Sequence, residues 1–390
     1  MRHKRIKNLI VGGALIGAFF VTKVSAYDAV NTHPALTNEI VNFYNLNYPE
    51  KLSKTDKEWL IKGAVDEDQG MRPMNHFYDP VHNIGMAGFP TSKQWAMSSG
   101  AQSNFAIANH SIAESSGLIK SADDFSYQRA IDDYVHSDRQ RAMIAFGHVL
   151  HLLEDANVPD HTRNDPHPPV GHFGSPYEHE MAKWNPGNFH IADNLNKEGL
   201  KPNKLNSLGD YFDKIAKYSN GNFFSKDTIL SSEYPNPSVN SWQYRKNIQN
   251  EEELLGLTKD SAGSYVLVKK IVRTNELTIN DKSILDGYWE RLSKDVVLNG
   301  AGALNLFLTE AEKAKKEYAN RPPEKPSWFS RILGLIGIST GDKVVDNQSV
   351  GDIMVTLIPK VTNLSMSPTP LVTNTPDTNV TILSPTQTPS

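Results

Sequence analysis

An all-α fold is what this sequence predicts, and three observations carry that expectation. Apolar residues recur at helical spacing through most of residues 27 to about 220, as in "THPALTNEIVNFYN", where Leu36, Ile40, Val41 and Tyr44 share a face. The same period returns late in the chain, first at Leu285, Tyr288, Leu292 and Val296 and again at Leu304, Phe307 and Leu308. Between these stretches the helix breakers gather in a few places, such as the Pro/Gly/His-rich run from Ala156 to Tyr177, instead of punctuating every eight to twelve residues as in an all-β chain. Residues 222 to 275 are the exception. There "SYVLVKKIV", from Ser264, reads as a strand or as part of an irregular insertion.

Residues 1–26 read as a secretory signal. Arg2, Lys4, Arg5 and Lys7 form a basic start, and Leu9 to Val21 is an apolar run of 13 residues, short for a membrane span. Val24-Ser25-Ala26 fits a small-x-small cleavage site, so Tyr27 is the expected mature N-terminus of a secreted or cell-surface protein. Removing residues 1–26 takes away five Lys/Arg and no Asp/Glu, which moves the formal charge from −4 to −9. Such a balance argues against duplex nucleic acid as a partner. There is no cysteine among the 390 residues. Stability must then come from the core or from metal, and any metal must be held by nitrogen and oxygen.

Along the chain, Thr32 is the expected N-cap of the first mature helix. "SYQRAIDDYVHSDRQRAMIAFGHVLHLLED" predicts a long helix in one or two pieces, ended within a turn by Pro159. The helical domain is expected to run over 27–320 and to stop at "NRPPEKPS". Residues 321–364 contain the apolar "WFSRILGLIGI", which suits docking on the body or lying on a membrane surface. Residues 365–390 are Pro/Thr/Ser-rich, the composition of a disordered tail.

The histidines are unevenly placed: six of the thirteen fall between His148 and His179, within 32 residues. In "HLLEDANVPDHTRND", His151 and Asp155 stand four apart and so share a helix face, while His161 lies just past the break. Imidazole and carboxylate at this spacing suit a zinc site built without thiolates. Other segments offer further ligands: His33 at the first helix, His76 in "NHFYDP", the acids Asp66, Glu67 and Asp68 in "GAVDEDQG", and His172 and Glu178 in "GHFGSPYEHE". A freed Tyr27 amine is another nitrogen. Taken singly, each has a bland reading, a surface or satisfied core histidine or a solvated acidic turn. His148, on a nearby face, suits a partner of a ligand or a core position, and His167 suits a loop surface.

These residues resemble the zinc-dependent phospholipase C family of bacteria, whose all-α fold is shared with single-strand-specific zinc nucleases. The matching pattern is H-x3-D-x5-H at His151, Asp155 and His161, followed by His172 and Glu178; "HFYDP" and His33 extend it. Five residues separate His172 from Glu178 where the family has three, which leaves His179 and Glu180 as alternatives. The resemblance implies three zinc ions. Asp68 (or Asp66), His76, His151 and Asp155 would hold one; Tyr27, His33 and the bridging Asp155 a second; His161, His172 and Glu178 the third. It implies a phosphodiester hydrolase acting on phospholipid, with Asp68 the candidate proton acceptor; a monomer is expected, and any peripheral membrane contact would come from the loops around the cleft or from the Trp328 segment. A nuclease would need aromatic platforms, for which Phe77, Tyr78, Phe173 and Tyr177 are candidates. A non-enzymatic surface protein stabilised by zinc is the third reading.

Overall fold

The computed structural model describes residues 31–103, 124–166, 174–183 and 190–321. The chain divides after Arg321, and the second unit, Pro322–Ser390, lies outside the described residues, as do the expected leader, the Trp328 segment and the tail.

The first unit is mostly helical. Its helices are α1 (Thr32–Asn47), α2 (Lys54–Asp66), α3 (Ser92–Met97), α4 (Tyr127–Val135), α5 (Arg139–Asp155), α6 (Pro159–Thr162), α7 (Pro176–Met181), α8 (Ile191–Lys197), α9 (Leu208–Asn222) and α10 (Lys282–Ala319). The long pattern before Pro159 forms two helices. Ser137, at φ 69°, breaks it, and Asp138 caps α5 by accepting from the Arg141 amide. Pro159 occupies the first turn of α6, where its missing N–H costs nothing. Thr32 is not a cap as expected. Asn31 holds the cap position, its side chain donating to the Ala182 carbonyl at 3.3 Å and not capping α1, and Thr32 donates to the Met181 carbonyl at 3.3 Å, tying α1 to α7.

α10 runs for 38 residues, about 57 Å at helical rise. Its Ile284, Tyr288, Leu292, Val296, Leu304 and Phe307 are buried in the common core with Phe43, Phe146, Tyr177 and Phe212. No helix of the described residues is long and apolar enough to cross a membrane.

α2 and α5 approach through facing glycines. A Cβ on Gly63 would stand 2.0 Å from the Ile144 carbonyl oxygen, and one on Gly147 would stand 2.2 Å from that of Leu60. No other residue permits this spacing; His151 lies about one turn past Gly147 on α5, and Asp68 follows just past the end of α2.

The uncertain insertion is a β-sheet, so all-α describes the helical body only. β1 (Ser241–Lys246), β2 (Glu252–Asp260), β3 (Gly263–Ile271) and β4 (Glu276–Thr278) form an antiparallel meander in the order β1-β2-β3-β4. β3 packs on α10: the Tyr288 hydroxyl donates to the Leu267 carbonyl at 2.7 Å, and Arg291 lies 3.9 Å over the Tyr265 ring.

Candidate metal centre

Five candidate ligands converge where α1, α2 and α5 meet the loop after α2. His33 comes from the first turn of α1, Asp68 from just past α2, His76 from the turn before "FYDP", and His151 and Asp155 from the last turns of α5. The i, i+4 spacing does its work: His151 Nε2 lies 3.2 Å from Asp155 Oδ2. His76 Nδ1 lies 2.8 Å from the same oxygen. The other oxygen, Oδ1, faces His33 Nε2 at 3.6 Å and His161 Nδ1 at 3.8 Å. Asp68 Oδ1 is 3.6 Å from His151 Nε2 and 3.8 Å from His76 Nδ1. Two overlapping groups, His33/Asp68/His151 and His76/His151/Asp155, have ligand atoms within 4.8 Å of one another and could hold a metal ion.

The donor set fits such an ion. Both carboxylate oxygens of Asp68 and of Asp155 are shut from water without a well-aligned hydrogen bond among the described residues. Buried carboxylates left this way are costly unless a cation or proton answers them. The imidazoles are held from behind in the manner of metal ligands. His151 Nδ1 donates to the Ala64 carbonyl at 2.6 Å, which turns Nε2 inward. His33 Nδ1 is 2.6 Å from Glu154 Oε2, and Glu154 also accepts from Thr37 Oγ1 at 2.8 Å. His76 Nε2 faces Glu67 Oε1 at 3.7 Å.

The charges are strongly coupled. Burial alone would raise Asp155, but His151, His161 and His76 outweigh it and hold the carboxyl well below its ordinary range. Burial would lower His76, yet Asp155 beside it raises the imidazole to about 10. Burial pushes Asp68 up to about 6 against the pull of His151 and His76. It likewise drives His33 well down, with His151 adding to the effect, and Glu154 well up.

The remaining candidates fall in different places. His161 Nε2 lies 3.2 Å from Glu178 Oε1, so α6 and α7 bring that pair together. His172 and Tyr27 lie outside the described residues, as does His167. Asp66, the alternative to Asp68, turns outward to Lys62 and Gln69, so its carboxylate is not at the centre. Of the alternatives to Glu178, His179 is exposed and Glu180 pairs with Lys183 at 2.9 Å. His148 is buried against Glu67, at 2.5 Å, with its ring stacked 4.0 Å from Phe125.

Two residues behind the ligands were not assigned from the sequence. Glu154 orients His33, and its signal was only its place beside Asp155. Glu67 appears there as one of three acids without a role. It accepts from Arg72 Nε at 2.7 Å and Trp95 Nε1 at 2.8 Å, a fixed anionic wall behind His76.

No protein-family model matches the sequence, and no curated protein does. Among solved structures, the alpha toxin from Clostridium absonum aligns at a TM-score of 0.37 and 13% identity, over 74% of this chain and 65% of that one. The Clostridium perfringens alpha-toxin from avian strain SWCP aligns at 0.38 and 12%, over 74% and 66%. The chain thus spans just under two thirds of the length of these structures. The likeness to these structures is distant.

Proposed function

We propose that this chain is an exported zinc-dependent phosphodiester hydrolase, a phospholipase C that releases diacylglycerol and a phosphorylated head group. The observation that carries the reading is Asp155, whose Oδ2 faces His76 and His151 while its Oδ1 faces His33. A carboxylate presented to two imidazole groups in this way suits a bridge between two cations, which is more than a structural zinc site requires. Asp68, His76, His151 and Asp155 would hold one ion; His33 and Asp155, with the Tyr27 amine, a second; and His161 and Glu178, with His172, a third. Bound zinc supplies an activated water and neutralises charge on the phosphate oxygens.

The chain's own residues do the rest. Ala64 and Glu154 fix the imidazoles of His151 and His33, and Glu67 faces that of His76 at 3.7 Å, so that little reorganisation is needed on ligand binding. Phe77 stacks on His161 at 4.5 Å and shields that side from water. Asp68, set beside His76 and His151, is the candidate acceptor of a proton from the attacking water through an oxygen not taken up by the metal.

Three aromatics that a nuclease would need as base platforms are buried: Phe77 is 2% exposed, Tyr78 4% and Tyr177 0%. This favours lipid over single-stranded nucleic acid. Phe173 lies outside the described residues.

The test is metal content and activity in one preparation. Close to three zincs per chain are expected, with at least two lost in Asp155→Asn, together with hydrolysis of phosphatidylcholine but not of single-stranded DNA. A zinc content near zero after reconstitution refutes the catalytic reading.

A further inference from the structure

The sheet that interrupts the helical body contributes no candidate ligand, yet it concentrates exposed apolar side chains. Within the 31 residues from Trp242 to Val272, four large hydrophobics stand open: Trp242 at 46%, Tyr244 at 53%, Ile248 at 97% and Val272 at 41%. Leaving such groups in water forgoes the burial that drives folding, so a cluster of them calls for an explanation.

Their placement is ordered. Alternation along β1 sets Trp242, Tyr244 and Lys246 on one face, opposite Gly256, Leu254 and Glu252 of β2. A Cβ on Gly256 would meet the Trp242 ring and a Val268 methyl at 3.1 Å, so the indole lies across bare backbone. The opposite face is tied to the body: Arg245 pairs with Glu253 at 2.7 Å and with Asp281, the cap of α10, at 2.5 Å, and Lys269 joins them. The turn between β2 and β3 is also anchored, through Asp260 to Arg291 at 2.6 Å. The other end of the meander is the free one. Its two turns lie side by side, since the Val272 amide donates to the Glu252 carbonyl at 3.1 Å. One carries Ile248 at its tip and the other Val272. Asn247 holds the Ile248 turn rigid, its side-chain oxygen accepting from the amides of Gln249 and Glu251.

We infer that this free end and the Trp242–Tyr244 face form a docking surface for a phospholipid bilayer, an inference that rests on the phospholipid reading of the metal centre. The chemistry favours this occupant. Tryptophan and tyrosine, apolar bodies with a polar tip, favour the headgroup boundary. Aliphatic tips on rigid turns can reach the acyl layer without ordering any chain. Charge complements the headgroups as well. Lys246 and Lys270 lie on the aromatic face with no ion pair among the described residues, whereas its acid Glu252 already accepts the Tyr244 hydroxyl at 2.9 Å. A protein partner covering the β1 edge would leave Ile248 and Val272 unexplained.

The test uses the full chain and vesicles of phosphatidylcholine with a minority of phosphatidylglycerol. Sedimentation should show binding by the parent. The double variant Ile248→Asp/Trp242→Ala should bind about tenfold less, while Leu46→Asp, at an exposed position on α1, stays within about twofold. Hydrolysis of a soluble short-chain phosphodiester should be unchanged in the double variant, and hydrolysis of vesicle lipid should fall with binding. Three outcomes would overturn the inference: undiminished vesicle binding by the double variant, an equal loss in Leu46→Asp, or a parent that ignores vesicles and self-associates through Trp242. If the double variant loses binding but no form hydrolyses either substrate, the docking surface stands and the phospholipase reading fails.

Discussion

Asp295 sits mid-way along α10 with Oδ2 shut from water and without a hydrogen bond among the described residues. Its other oxygen accepts from Asn299 Nδ2 at 3.0 Å. Burial raises the carboxyl from 3.8 to about 7, against the pull of Lys214 and the bond from Asn299. An acid raised in this way binds its proton more tightly folded than unfolded. Stability is therefore complete below about pH 4 and is lost as pH rises through about 7. A shift of about 3 units at 1.36 kcal/mol each sets a ceiling near 4 kcal/mol; water reaching the site in practice brings the expected cost to about 2 kcal/mol at pH 8.5. Asp295→Asn keeps the size and can keep the acceptor for Asn299, and it never ionises. The variant should match the parent near pH 4 and exceed its unfolding free energy by about 2 kcal/mol at pH 8.5, the gap opening between about pH 4 and 7. Urea unfolding across that range, with zinc chelated in both proteins, measures this. A difference between the two that does not change with pH would refute the reasoning.

Three further outcomes follow from the centre and its supports. Gly147→Ala forces a methyl against the Leu60 carbonyl, so α2 and α5 must part; unfolding free energy should fall by about 2–4 kcal/mol, and zinc affinity should fall with it because His151 and Ala64 ride on those helices, both read by denaturation and zinc titration. Glu154→Gln removes the carboxylate behind His33 without changing volume, and competition with a chelator should show zinc affinity reduced by about 10–100-fold, at least at one site. Zinc binding must displace the proton that Asp155 holds on His76, so calorimetry in buffers of different ionisation enthalpy should record proton release, with affinity weakening as pH falls from 8 to 6.

How far the sequence could be read differs by element, for physical reasons. His151, Asp155 and His161 were legible because one helix and one proline determine their relative directions. His33 and His76 needed the resemblance, since their approach to Asp155 is set by how α1 and the "HFYDP" turn pack, which no local period encodes. Glu154 and Glu67 were missed as supports. Adjacent acids on a helix point about 100° apart, and which one turns to a histidine depends on a neighbouring helix. Thr32 looked like a cap because capping residues are judged locally, but its hydroxyl is taken by the Met181 carbonyl. In the insertion, β3 was legible as a strand. β1 was not, because it is an edge strand exposed along nearly its whole length, and its alternation rests on Trp242 and Tyr244 alone, too short a run to separate from a loop.

The candidate metal centre and the fold are one problem in this chain. Without cysteine, no disulfide limits the unfolded state. At the junction of α1, α2 and α5 the chain instead buries four carboxylates, Glu67, Asp68, Glu154 and Asp155, beside His33, His76, His148 and His151. Ion pairs so desolvated recover at best their own cost in the absence of other cations. Had the junction served packing alone, apolar side chains of the same volume would hold it as well or better. The glycine contact between α2 and α5 points the same way. It gives up side-chain packing so that backbone can approach backbone, and what it gains is the position of the Ala64 carbonyl behind His151. Both features cost stability in the metal-free chain, and both are explained when a bound cation contributes to folding.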